Sequence, residues 1–304
     1  MTSLRVAAVQ FELRAEGSFG SFAAHLTSVV EQAVVDGAEL VVLPELVTTG
    51  LLATHPDPAS LGPADVAEAY RAVFPPLTDH FEDLVRTLAT DARKTVLGGS
   101  HFRRATDGTY RNTAVLAHPD GRVEHQDKLH LTPQEQGMGL TPGDDVLVTT
   151  IGPARTAIQI CADIEFPEIN RLLALRGVEL VLCPSLTWNT RGAYRVRYGA
   201  HARAMENQLY VVTSPLVGSS GLPAGRAIHG TGYAMATGPI DRRSGLDDGV
   251  VVAHPDTRTE GMAVADLDLE VIAESRANPE PPGLSNIRPD LYERFAATVE
   301  QRIP

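Results

Sequence analysis

The stretch TAIQICADIEFPE, residues 156–168, begins as an alternating, largely apolar run and ends in a Phe-Pro-Glu step. Alternation marks a half-buried strand, and a proline followed by an acid marks the first turn of a helix. Cys161 therefore falls at the end of a strand, in a turn just before a helix. A thiol so placed is a candidate nucleophile: the strand end is rigid, and the free N–H groups of the coming helix are expected to lower its pKa. Working outward, the apolar run ELVVLPEL (39–46) brings Glu45 to a second strand end, and RVEHQDKLHL (122–131) brings Lys128 to a third. An acid, an ammonium and a thiol are the parts needed to open a carbon–nitrogen bond by covalent catalysis.

The chain has 304 residues, 43% hydrophobic and 21% charged, which suits a globular enzyme with a sizeable core. A net charge of −12 argues against nucleic acid, whose binding relies on basic patches that displace counterions. The expected partner is a small molecule. MTSLRVAAVQFEL at the start turns polar too soon for a secretory core or a membrane span, so it is read as the first core strand of a cytoplasmic protein. Two cysteines are too few for a disulfide scaffold. Cys183, inside the apolar VELVLCPS, reads as a small buried hydrophobe.

Strands are expected at 4–11, 39–44, 94–100, 146–150, 155–161, 179–183 and 209–214, with helices at 19–36, 167–176 and 190–208. A helical stretch from about 64 to 92 is broken by Pro75 and Pro76, and YRNTAVLAHPDGRVEHQ (110–126) reads as a hairpin. The last third adds strands near 231–236, 249–253 and 262–266, then a helical start and a proline-rich tail from Asn278. No long polar linker separates these elements, so residues 1–304 read as one domain of mixed sheet with helices outside. His-Pro-Asp recurs at 55–57, 118–120 and 254–256, where turn chemistry suffices to explain it.

Each candidate alone has an ordinary explanation, as a solvated acid, a surface lysine or a core cysteine. Together they are more informative: Glu45 and Lys128 both sit among apolar neighbours, and buried charges call for partners. His101, His125, His130 and His229 lack zinc-site spacing, so no metal is expected. HGTGYAMATGP (229–239) has the glycines but not the pattern of a phosphate-binding loop, so no cofactor is expected either.

RVAAVQFEL (5–13), GAELVVLPEL (37–46), DKLHLTPQE (127–135), ICADIEFPE (160–168), CPSLTW (183–188) and ARAMENQLYVV (202–212) together resemble the carbon–nitrogen hydrolases of the nitrilase superfamily, over nearly the whole chain. The resemblance implies a four-layer α-β-β-α sandwich that dimerises into a larger one. It implies a Glu-Lys-Cys triad of Glu45, Lys128 and Cys161, with Glu135 as a second glutamate that orients the lysine or the substrate. The backbone N–H of Ala162 would join Lys128 in holding an oxyanion. The segment 278–304 would be an arm on a partner subunit.

Ala162-Asp163-Ile164 after the nucleophile departs from the Trp-Glu usual in members acting on nitriles and is similar to the amidase branches. Ser185 and Trp188 are expected beside the pocket, with Arg191 or Arg195 as partners for a substrate carboxylate, and the segment after Glu45 as its cover. The expected activity is hydrolysis of a small linear amide. The alternatives are a nitrilase, an N-carbamoyl-amino-acid amidohydrolase, a thioester-forming acyltransferase or a non-catalytic binding module of the same fold.

Overall fold

The alternating runs form strands whose two faces go to two different cores. The computed structural model describes residues 2–62, 65–222, 228–280 and 283–296. In β1 (Ser3–Leu13), Leu4, Val6 and Ala8 enter one apolar cluster, while Ala7, Val9 and Phe11 enter another. This is the period of two expressed as layers. β2 (Leu40–Val42), β3 (Thr95–Arg104), β4 (Tyr110–Ala117) and β5 (Val123–Asp127) continue the first sheet from β1. The second is built from β6 (Val148–Ile151), β7 (Ala154–Ile158), β8 (Leu180–Ser185) and β9 (Tyr210–Ser219). Of the later strands, β10 (His229–Gly230) pairs with β9, β11 (Met235–Thr237) lies between β9 and β12 (Val250–Ala253), and β13 (Gly261–Asp268) pairs antiparallel with β1. The sheets are continuous at one corner, where Phe11 to Leu13 of β1 run parallel to Leu216 to Gly218 of β9.

Both halves have a parallel centre with helical crossovers. Helix α1 (Phe19–Val35) links β1 to β2, and α2 (Val66–Val73) with α3 (Thr78–Ala92) links β2 to β3. Beyond the short helix α4 (Pro133–Gly137), α5 (Pro167–Leu175) links β7 to β8 and α6 (Thr190–Asn207) links β8 to β9. Phe22 and Leu26 of α1 pack with Phe81 and Val85 of α3 against Val9, Val41 and Val96; Leu173, Val196 and Ala200 do the same for the second sheet. Burying one such side chain contributes about 1.5–3 kcal/mol. The result is the expected α-β-β-α order of four layers. The tail carries α7 (Leu269–Ala277) and α8 (Pro289–Ala296).

Several boundaries differ from the sequence reading for local reasons. β2 stops at Val42, and Val47–Thr54 forms a 3-10 helix where a loop was expected. Pro75 and Pro76 do break the 64–92 stretch, as a 3-10 turn between α2 and α3. β7 ends at Ile158, so Cys161 opens a five-residue 3-10 turn, Cys161–Glu165, rather than closing a strand. His118–Pro119–Asp120 makes the hairpin turn between β4 and β5, with Gly121 N donating to His118 O at 2.9 Å.

His101 on β3 is buried between the sheet and α3. Its Nε2 lies 3.1 Å from Phe74 O, which only accepts, so Nε2 carries the proton and Nδ1 accepts from the Thr48 hydroxyl at 3.0 Å. Burial holds its pKa down at about 3, with the Phe74 carbonyl partly opposing and Arg103 assisting. The folded state therefore refuses a proton that the unfolded chain takes below about 6.5. Stability at neutral pH is expected to be lost progressively as pH falls from about 6.5 to about 3, by up to about 5 kcal/mol from this residue. Urea unfolding across that range should show a shallower pH dependence for His101→Gln than for the unaltered protein.

Candidate functional site

Glu45 is held by a turn that depends on close backbone approach. Gly99 of β3 has φ +80, and a Cβ there would stand 2.0 Å from Pro44 O, so only glycine lets β3 pass beside this turn. Ser100 N then donates to Pro44 O at 3.1 Å and Ser100 Oγ accepts from Leu46 N at 2.9 Å. Leu46 itself is left-handed, with φ 47. Strain at that residue aims the Glu45 carboxylate inward.

Lys128 arrives on the extension of β5, its N–H bonded to Asn112 O of β4 at 2.9 Å. Its Nζ donates to Glu45 Oε1 at 2.7 Å and to Glu135 Oε1 and Oε2 at 2.9 and 2.8 Å. Glu135 is held by a capping box: Thr132 Oγ1 accepts from Glu135 N, and Thr132 N donates to Glu135 Oε2 at 2.9 Å. Asn112 Nδ2 donates to Oε1 of both glutamates, each at 2.9 Å. Leu186 N donates to Glu45 Oε2 at 2.8 Å. Residues exposed by only 2% (Glu45), 2% (Lys128) and 7% (Glu135) thus satisfy one another in place of water.

Cys161 is also buried and has φ 51, a left-handed conformation unusual for a side chain with a Cβ. Asp163, fully buried, stabilises this turn. Its carboxylate accepts from Ile160 N at 3.0 Å, Leu129 N at 3.3 Å, His130 N at 2.7 Å and His130 Nδ1 at 3.0 Å. One side chain thereby ties the thiol turn to the segment that follows Lys128. His130 stacks on Phe166 at 3.8 Å between ring centroids.

The charges split the two glutamates. Burial raises the Glu45 carboxyl above its ordinary value and the charge of Glu135 adds to this, with Lys128 only partly opposing. For Glu135, burial acts upward too, but Lys128 and the donors from Thr132 and Asn112 outweigh it and hold the carboxyl low. Burial alone would lower Lys128; the two carboxylates outweigh that and hold it well above its usual range. The thiol behaves opposite to the sequence reading. Burial, and then the charge of Glu45, push Cys161 well up, with Lys128 working against them. A 3-10 turn of five residues is too short a dipole to compensate. The cysteine is a neutral thiol beside a carboxylate able to take its proton.

These four residues meet in one cleft of about 170 Å³, bounded on its apolar side by Leu46, Tyr70, Met138 and Leu186. Ala162 and Trp188 line it as well, Trp188 at 44% exposure near the mouth. Ser185 does not reach the cleft. It lies within β8, its hydroxyl 3.5 Å from Ser214 O of the neighbouring strand. Arg195 lines the mouth and pairs through Nε with Glu165 at 3.2 Å, whereas Arg191 is not part of the lining. The segment after Glu45 does cover the site: Thr49 bonds both Leu46 O and the Tyr70 hydroxyl, which seats α2 over the cleft. Asn112 and Asp163 were missed by the sequence reading. A wider surface depression of about 530 Å³, lined by residues such as Asp107, Arg111 and Asp127, holds charge pairs and no nucleophile.

A family model described as carbon-nitrogen hydrolase matches residues 5–277. A Bacillus subtilis (strain 168) protein named "Probable hydrolase YhcX" is 33% identical over 95% of this chain, which spans only 54% of that relative's length. Omega-amidase NIT2 of Bos taurus is 28% identical, covering 96% of this chain and 98% of the relative. Among solved structures, a carbon-nitrogen hydrolase from Helicobacter pylori G27 superposes with a TM-score of 0.77 at 21% identity, covering 97% and 98% of the two chains. An amidase from Nesterenkonia sp. AN1, solved with acrylamide, gives 0.74 at 21% identity, with the same coverage. At that identity the likeness concerns the fold.

Asp163→Asn keeps the outline of the side chain but turns an amide N–H toward backbone donors. We expect it to cost about 2–4 kcal/mol of unfolding free energy, measured by urea titration. Asp163→Glu, which keeps the charge at the wrong length, should lose less.

Proposed function

The chain belongs to the carbon–nitrogen hydrolase family, and from that premise we propose that it hydrolyses a small linear amide to a carboxylic acid and ammonia through a thioester on Cys161. The observation that carries this reading is the opposed setting of Glu45 and Glu135 around one lysine. Two carboxylates pushed in opposite directions divide the labour between a proton carrier and a permanent anion.

Glu45 takes the proton of Cys161 as the sulfur bonds to the amide carbon, so the buried cluster keeps one net negative charge throughout. The carbonyl electrons move to oxygen, which Lys128 Nζ and the Ala162 N–H stabilise. Collapse breaks the carbon–nitrogen bond, and Glu45 returns its proton to the departing nitrogen, giving ammonia. Water, losing a proton to Glu45, then attacks the thioester; the acid leaves and Cys161 regains its proton. Glu135 stays ionised and keeps Lys128 charged and pointed at the reacting oxygen. The small cleft supports a short substrate, with Trp188 beside its far end.

The reading includes a homodimer. Exposed apolar side chains on α5 (Leu172, Leu175) and α6 (Tyr198, Met205) support it, and the segment 278–304, part of which lies outside the described residues, would be an arm on the partner. Sedimentation equilibrium should give twice the 32.6 kDa chain mass; a monomer at micromolar concentration would reject this element.

Ammonia release should be measured from short aliphatic amides, ω-amides of dicarboxylates, N-carbamoyl amino acids and matched nitriles, with Cys161→Ala as the blank. Amides alone should react, with Cys161→Ala folded and inactive. Since Glu45 must be ionised to accept the proton, kcat/KM should fall as pH drops through a value above the ordinary 4.5 of a glutamate. Turnover chiefly of nitriles or carbamoyl compounds would replace the amidase reading.

A further inference from the structure

Asn112 is 1% exposed and sits on β4 between the two glutamates. Its Nδ2 donates to Glu45 Oε1 and Glu135 Oε1, both of which Lys128 Nζ also contacts. Its Oδ1 is buried and has no hydrogen-bond partner among the described residues. A buried acceptor left unmade costs about 1–3 kcal/mol. An amide retained at that cost is there for its donor half.

The donors are unevenly distributed over Glu45. A carboxylate oxygen offers two in-plane acceptor positions. On Oε1 these are taken by Lys128 and Asn112, while Oε2 receives the Leu186 N–H, and the Cys161 side chain is a further hydrogen-bond partner of the same carboxylate. Leu186 is also the residue whose carbonyl lies 3.8 Å from Cys161 Sγ, so one residue bonds both Oε2 and the thiol. We propose that Asn112 is a positioning residue that closes Oε1 of Glu45 to protons, so that proton exchange with Cys161, the leaving nitrogen and water runs through Oε2. The inference rests on Glu45 as the proton acceptor of the proposed reaction. Without Asn112, Lys128 would leave one acceptor position of Oε1 open to a proton.

The titratable groups facing Glu45 are Lys128, Glu135 and Cys161, with Tyr70 and Cys183 behind them. Burial pushes both Tyr70 and Cys183 up, so neither titrates in the range where Glu45 does. Loss of the Asn112 donor would therefore register on Glu45, making its protonated form easier to reach, and on Glu135, which Lys128 and Thr132 still hold low.

The test compares Asn112→Leu, of similar outline without a donor, and Asn112→Ser, which leaves room for a water, with the unaltered protein. Melting temperature and circular dichroism report folding. Two pH profiles are read: kcat and KM for the best amide, and the rate of Cys161 alkylation by iodoacetamide, which needs no turnover. In Asn112→Leu, kcat should fall about 10- to 100-fold with KM within about threefold. The acid limb of both profiles should move up by about one pH unit, with Asn112→Ser lying between. A folded variant whose two profiles overlay those of the unaltered protein overturns the inference. Absence of amide turnover in the unaltered protein, together with an alkylation profile that still moves with Asn112, would reject the amidase reading and leave the role of Asn112 standing.

Discussion

A buried ammonium is the constraint on which the site depends. Taking Lys128 out of water costs several kcal/mol unless its charge is met at close range, and removing one partner of such a cluster is far worse than never having built it. Two carboxylates meet it at 2.7 and 2.8 Å. They overcompensate, leaving one net negative charge, and that surplus shapes the remaining chemistry. It raises the thiol, raises the more enclosed acid, and requires neutral donors around the carboxylates to spread the charge. The Leu186 amide, the Thr132 cap and the Asn112 amide are those donors.

Placing such a cluster demands backbone that ordinary strands and helices do not provide. Glu45 and Cys161 each sit at a point of left-handed backbone, Leu46 at φ 47 and Cys161 at φ 51. Both are stabilised from other elements, the first by the Gly99–Ser100 step of β3 and the second by Asp163 and the segment after Lys128. Strain of about 1–3 kcal/mol per residue persists only where surrounding contacts over-determine it. Here the four layers supply that rigidity, because the turns that carry Glu45 and Cys161 follow the ends of parallel strands buried on both faces.

Some of this was readable in the chain and some was not. The strands and crossover helices follow from alternation and from Pro75, Pro76 and Pro167, all local signals. Glu45, Lys128 and Cys161 stood out because charged or reactive residues ended apolar runs. Thr132-Pro-Gln-Glu135 is a capping-box pattern, so the fixed orientation of Glu135 had a signal that was there to be found. Gly98-Gly99-Ser100 inside an apolar strand likewise pointed to a close backbone approach. Ser185 was misplaced because proximity in sequence to Trp188 says nothing about which face of β8 it occupies. The thiol setting was not readable because the burial and the Glu45 charge that raise it come from the packed structure, not from the helix that follows.

The sequence by itself determined the order of the elements and the residue types delivered to the strand ends, since periodicity and turn chemistry act over a few residues, while the four layers were implied by the family resemblance. Only the tertiary structure decided how those residues share protons. The bonds that define Glu45 come from Asn112, Lys128 and Leu186, separated from it by 67, 83 and 141 positions. Burial, which raises Glu45 and Cys161, and the charges that overrule it at Lys128 and Glu135 are properties of the packed sheets. No local pattern encodes how donors divide between the two carboxylate oxygens, because that depends on donors brought together from three different segments of the chain.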